Sequence, residues 1–175
     1  MIDLYIDFDG VILNTIDITY QKLKEVGLSL TNSAQVRKFY EELDWRSLFQ
    51  ESNPIKDSIS NIQKLIDSKL YNVSVLSHVS SETEATAKKE FLQQYFTNLN
   101  VITVDSKYNK CDVVNCKNAV LVDDYMGNLV PWFNKGGIPI KFSDNGKRYV
   151  FITINSLDQL IDKYELIKEK QITGI

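Results

Sequence analysis

The 175-residue sequence predicts an α/β fold: a parallel sheet layered between helices, with a small helical insertion after the first strand. Three observations predict it. Segments rich in β-branched residues alternate with helical patterns, as parallel sheets require. Three of those segments end in polar residues that their apolar bodies do not anticipate. Between the first two strands, about 56 residues, Thr15 to Leu70, read as helices throughout. A single crossover helix needs far fewer.

Strands are expected at Ile2–Phe8, Asn72–Ser77, Val101–Val104, Ala119–Asp123, Ile138–Phe142 and Tyr149–Ile154. Pro139 lacks an N–H, so it sits on an edge strand or starts its strand. Asn53-Pro54 reads as a helix N-cap and first helical residue, followed by Ile55, Ile59, Ile62 and Ile66 on one face. Ser81 with Glu84 fits a capping box opening a helix that runs to about Tyr95, and a short helix is expected at Cys111–Cys116. Gly136-Gly137 should end the helix that follows Asp124. Ser156 with Gln159 fits another capping box, with Leu157, Leu160, Ile161 and Tyr164 as its apolar stripe.

Within the insertion, Val36, Phe39, Tyr40 and Leu43 form a packing stripe at helical spacing. Trp45, Arg46 and Phe49 lie off that stripe, and either pack between insertion and core or meet a nucleotide. The organisation expected is one core domain, 1–14 and 71–175, carrying a helical cap over 15–70. Ligands bind at the carboxyl ends of strands in open α/β sheets, so the insertion is placed to act as a lid.

Composition narrows the function. Apolar residues make up 43% and charged residues 25%, ordinary for a globular chain that buries a real core. Net charge is −3, which argues against a nucleic-acid polymer as partner. No apolar stretch is long enough to span a bilayer, and the N-terminal MIDLYIDFDG has acids where a signal peptide would be basic and then apolar. A soluble, cytoplasmic protein with no membrane partner is expected. Cys111, Cys116 and the single histidine, His78, exclude the usual zinc clusters and a disulfide framework. The two cysteines read as reduced thiols.

Chemistry gathers at the strand ends. The first strand runs into Asp7 and Asp9, Val73–Leu76 into Ser77-His78, and Val120–Val122 into Asp123-Asp124. In a parallel sheet these groups share one edge. Two charges 4 Å apart cost about 4 kcal/mol at an effective dielectric near 20, so either some carboxyls are protonated or a cation sits among them. Oxygen ligands without a His/Cys cluster point to Mg²⁺.

These residues resemble the phosphatase branch of the haloacid dehalogenase superfamily. Asp7-Phe8-Asp9-Gly10-Val11 is similar to its first motif, Ser77 to its second, and Asp123-Asp124 to its fourth in the paired-acid form. The third motif is a lysine ahead of the fourth; Lys107, Lys110 and Lys117 are available, with Lys110 the choice and Lys107 second. The resemblance spans almost the whole chain and implies a Rossmann-like three-layer core with a cap at Thr15–Leu70. Chain length, the paired acids and the compact cap look most similar to the small 5'(3')-deoxyribonucleotidase-like members.

What the resemblance implies is a Mg²⁺-dependent phosphomonoesterase acting on a small-molecule phosphate ester. Asp7 would attack phosphorus, and Asp9 would protonate the leaving oxygen and later activate water. Ser77, Lys110 and Gly10 would bind the phosphate, and the Asp7 carboxylate, the Asp9 carbonyl and Asp123 would hold Mg²⁺. Asp124 would support the lysine or a metal-bound water. His78 could touch phosphate or be structural, and Asn128 could support the metal shell or lie on the helix surface. Dehalogenases of the family lack an acid at position 9, whereas phosphomutases share it.

Readings from other classes are weaker. A phospho-receiver module uses similar ingredients, but it opens with its acid pair and ends with its lysine, and the helical insertion has no place there. A silent ligand-binding relative would carry the charges of Asp7, Asp9 and Asp123 without the cation that offsets them.

Overall fold

Six strands pair in parallel throughout, and the sheet is wound outward in two directions from its centre. The computed structural model describes residues 1–29 and 31–173. Its strands are β1 (Ile2–Ile6), β2 (Tyr71–Val79), β3 (Asn100–Asp105), β4 (Val120–Asp123), β5 (Ile138–Phe142) and β6 (Ile152–Ile154), in the order β3-β2-β1-β4-β5-β6. The order reverses between β1 and β4, the place where open α/β sheets form a ligand crevice. Register does the rest: Ile6 pairs with Val122, and the Asp7 N–H donates to the Val122 carbonyl at 2.9 Å. Asp7 and Asp123 therefore leave adjacent strands at the same level.

Nine helices are described: α1 (Thr15–Glu25), α2 (Ser33–Glu42), α3 (Trp45–Glu51), α4 (Ser58–Asp67), α5 (Glu82–Gln93), α6 (Lys110–Val113), α7 (Met126–Asn134), α8 (Gln159–Asp162) and α9 (Tyr164–Thr173). The sheet is apolar on both faces, as a covered parallel sheet must be. Ile2, Leu4 and Ile6 alternate onto one face with Ile62 and Leu65 of α4. Tyr5 turns to the other, edge-on to Trp132 of α7 at 5.5 Å. Among the described residues no helix is long and apolar enough to cross a membrane.

Several elements differ from their sequence signals. Helix α4 starts at Ser58 rather than Pro54, because a short 3₁₀ turn at Ile55–Asp57 intervenes, with Lys56 and Asp57 at positive φ. The Ile55 N–H and the Ser58 hydroxyl both donate to the Ile12 carbonyl, pinning this segment to the loop after β1 before the helix can begin. Once begun, α4 packs on β2 with Ile62 and Leu65 fully buried, as a crossover helix of the sheet layer. Only α1–α3 of the helical stretch 15–70 lie off the sheet.

Pro139 lies on β5, an interior strand, yet pairing with β6 starts at Ile140, so its missing N–H interrupts no ladder. Ser81 caps α5 by accepting the Glu84 N–H at 3.2 Å, but the Glu84 carboxylate turns to the Ser80 N–H and to Lys88. At the C-terminal end α8 and α9 divide where one helix was expected.

Helices α1–α3 dock through aromatic packing. Phe49 of α3 lies 5.1 Å from Phe8 and 6.1 Å from Phe91 of α5, and Arg46 forms a two-pronged ion pair with Glu90. Trp45 stacks on Tyr40 and donates its indole N–H to the Tyr40 carbonyl. Two of the three residues held open for a nucleotide, Arg46 and Phe49, thus join cap to core.

Candidate active site

Asp7 is buried at the end of β1. Its Oδ1 accepts from the Phe8 N–H and from Lys110 Nζ, both at 2.8 Å, while Oδ2 meets no donor among the described residues. Lys110 is the first residue of α6, whose start is fixed by a reciprocal capping box between Asn109 and Asp112. Its buried ammonium also donates to Asp123 Oδ2 at 2.6 Å. Burial works against the charged lysine, but Asp7 and Asp123 outweigh it and hold its pKa above the ordinary value. Of the other lysines considered, Lys107 pairs with Asp105 on the surface and Lys117 is exposed.

The two acids ending β4 have opposite surroundings. Asp123 is fully buried and fully engaged: Oδ1 accepts the Tyr125 N–H at 2.9 Å, and Oδ2 accepts from Lys110 and from Asn128 Nδ2 at 2.9 Å. The Asp124 carboxylate has no hydrogen-bond or ion-pair partner among the described residues. Burial, then the charges of Asp7 and Asp123, push its pKa up to about 7. Asp7 is pushed up to about 6, first by burial, with Asp123 and Asp9 adding to it and Lys110 opposing. One oxygen from each of Asp7, Asp123 and Asp124 lies within 4.8 Å of the others.

Asp9 is held on both oxygens. Oδ1 accepts from the Thr15 hydroxyl at 2.7 Å and Oδ2 from Lys88 Nζ at 2.6 Å. Ser77, fully buried on β2, accepts from Lys88 at 3.0 Å and stands 3.5 Å from Asp9 Oδ2. Gly10 was expected to bind phosphate, but its N–H donates to the Leu13 carbonyl at 2.9 Å and is not available to a ligand. What position 10 needs is φ +72° and the absence of a Cβ beneath Asp124. His78 ties its Nε2 to the Tyr108 carbonyl at 2.9 Å, and burial pushes its pKa down.

Solved structures share this arrangement of strands and helices. A HAD phosphatase from Thermococcus onnurineus matches with a TM-score of 0.55 at 18% identity, covering 99% of this chain and 98% of that one. A HAD hydrolase of family IA, variant 3, from Entamoeba histolytica HM-1:IMSS matches at 0.61 and 10% identity, covering 96% and 100%. The fold is that of the haloacid dehalogenase-like hydrolases. A dehalogenase with an intermediate complex also matches, at 0.60 and 15% identity over 93% and 96% of the two chains. No protein-family model and no curated protein matches the sequence. At these identities the likeness is one of fold, and the chemistry rests on the side chains.

Within this haloacid dehalogenase-like core, three side chains at the site had escaped the sequence reading. Lys88 is buried completely and pairs with Glu84 at 2.7 Å as well as with Asp9. Thr15, the first residue of the cap, reaches Asp9. Lys141 of β5 donates to the carbonyls of Asp124 and Phe142 and lies 4.8 Å over the Tyr149 ring. The available signals were a Glu/Lys pair at i,i+4 directly after the Ser77 strand, and one lysine inside an otherwise apolar strand.

Five carboxylates, Asp7, Asp9, Glu84, Asp123 and Asp124, face three ammonium groups, Lys88, Lys110 and Lys141. With all five ionised, two negative charges are left over. Between cap and core opens a cleft of about 470 Å³, lined by Thr15, Thr19, Tyr20, Tyr40 and Trp45 from the cap and by Asp9, His78, Glu84, Asp124 and Tyr125 from the core.

Proposed function

We propose that this chain is a Mg²⁺-dependent phosphomonoesterase that works through an aspartyl-phosphate on Asp7, with a (deoxy)nucleoside monophosphate as its substrate. The observation that carries the reading is the state of Asp7: one oxygen is fixed by Lys110 and a backbone N–H, and the other is free to attack. Lys110, beside that oxygen, neutralises charge as the phosphoryl group arrives.

A divalent cation fits the residues present. The donors are all oxygens, the carboxylates outnumber the ammonium groups beside them, and Asp124 is a half-buried carboxylate with no partner among the described residues. Asp123 was expected to be the ligand and Asp124 its support, but the hydrogen bonds favour the reverse. Asp123 is occupied by Lys110, Asn128 and the Tyr125 N–H, so it orients the lysine. Asp124, Asp7 and the Asp9 carbonyl would hold Mg²⁺. When bound, the ion screens nucleophile from phosphate and stabilises charge on the transferring oxygens.

Asp9 separates this reading from dehalogenation on the same fold. A departing alkoxide needs a proton and a halide does not, so an acid held two residues from the nucleophile serves ester cleavage. Asp9 first donates its proton to the leaving oxygen, then takes one from the water that releases phosphate. Ser77, beside Asp9, would be the hydroxyl that meets the phosphoryl oxygens. The nucleotide assignment is supported by the cleft, whose volume suits a small ligand and whose walls offer Tyr20, Tyr40, Trp45 and Tyr125 to an aromatic base.

The test is phosphate release from a panel of phosphomonoesters with Mg²⁺ and with EDTA. Deoxynucleoside monophosphates should be hydrolysed in preference to sugar and glycolytic phosphates, and only with the metal. Preference for a sugar phosphate would replace the substrate assignment, and metal-independent release would contradict the mechanism.

A further inference from the structure

Lys88 does more than the fold asks of it. It lies on α5, one turn after Glu84, and that ion pair alone would match the charge of its helix neighbour. Its ammonium instead meets four acceptors: Asp9 Oδ2 at 2.6 Å, Glu84 Oε1 at 2.7 Å, the His78 carbonyl at 2.8 Å and Ser77 Oγ at 3.0 Å. The Phe8 ring closes the remaining side at 5.4 Å. An ammonium has three N–H groups, so every donor is engaged and the group cannot swing.

We propose that Lys88 is a positioning residue for Asp9, fixing the orientation of the carboxyl that exchanges the proton with the leaving group. The proposal rests on the phosphatase reading above. With Oδ2 held by Lys88, Oδ1, beside Thr15 at the cleft wall, is the oxygen left to carry the exchanged proton, the Thr15 hydroxyl then accepting from it rather than donating. In the first half-reaction the bond from Asp7 to phosphorus forms while the bond to the leaving oxygen breaks. The proton on Asp9 passes to that oxygen, and Asp9 is left as a carboxylate against the Lys88 ammonium.

The experiment compares kcat/KM for an alkyl phosphate, whose leaving group needs a proton, with that for dinitrophenyl phosphate, whose leaving group departs without one. Lys88→Met should lower the alkyl value about 100-fold and the dinitrophenyl value no more than about 3-fold. In an Asp9→Asn background Lys88→Met should add nothing further on the alkyl ester. Because Lys88→Met strands two carboxylates, a Lys88→Met, Glu84→Gln double variant removes one of them and should show the same selective loss. Equal losses on both substrates, an added loss beside Asp9→Asn, or a double variant that does not fold would each make Lys88 a structural residue and overturn the proposal. A wild type inert toward both esters would instead overturn the phosphatase reading, and this role with it.

Discussion

The Asp124 carboxylate rests directly over Gly10, so close that a Cβ at position 10 would stand 2.5 Å from Asp124 Oδ2 and 2.9 Å from the Ile16 side chain. The loop after β1 and the loop after β4 therefore fit together only with glycine between them. Gly10→Ala adds a side chain at φ +72° and pushes on the acid of the site that has no partner among the described residues. It should destabilise the protein by about 2 kcal/mol and weaken Mg²⁺ binding. Chemical denaturation and calorimetric metal titration check the two effects separately.

The raised acids give the metal-free protein an unusual pH dependence. Asp7 near 6 and Asp124 near 7 both lie above an unfolded aspartate at about 3.9. A folded pKa raised in this way contributes stability that is complete below about pH 4 and lost as pH rises through 6 and then 7. In EDTA the melting temperature should fall between about pH 4 and about pH 7 and level off above that. Mg²⁺ at the proposed site would replace those protons, so the stabilisation it brings should grow over the same interval. Thermal melts with and without Mg²⁺ provide the check.

Lys110 pairs with two buried carboxylates at once. Lys110→Met should lower phosphate release about 100- to 1000-fold, as loss of a charge-stabilising donor does elsewhere. It should also lower the melting temperature, since Asp7 and Asp123 lose their shared counter-ion. Lys107→Ala, which breaks only a surface pair, should change neither quantity. Steady-state rates on the best substrate distinguish the two lysines.

Cap docking rests on Phe49, which is 2% exposed and packs on Phe8 and Phe91. Phe49→Ala should cost about 3–5 kcal/mol by urea denaturation if cap and core unfold together. Phe8 directly follows Asp7, the proposed nucleophile, so the rate should fall as well. Arg46→Ala removes an exposed ion pair and should leave folding nearly unchanged.

Strand-end chemistry was legible in the sequence because it is local. A short apolar run that stops at a polar residue announces both a strand and its carboxyl end, and this is why Asp7, Asp9, Ser77, Asp123 and Asp124 were placed at one sheet edge. What stayed hidden depends on contacts between distant segments. Lys88 reads as an ordinary surface lysine of a charged helix until α5 is folded back onto β2. The division of labour between Asp123 and Asp124 is invisible in a pair of identical letters, and follows from where Asn128, Lys110 and Gly10 arrive. The start of α4 was misplaced for a similar reason. Proline punctuation suggested Pro54, whereas two hydrogen bonds to the Ile12 carbonyl hold the segment short of helix until Ser58.

The most direct test of Asp7 as the nucleophile is single-turnover phosphate release with Mg²⁺, comparing the wild type with Asp7→Asn at equal folded concentration. The amide keeps the shape of the side chain and removes the attacking carboxylate oxygen. Release by the wild type and none by Asp7→Asn is the predicted result. Release by Asp7→Asn at the wild-type rate would contradict a covalent intermediate on Asp7.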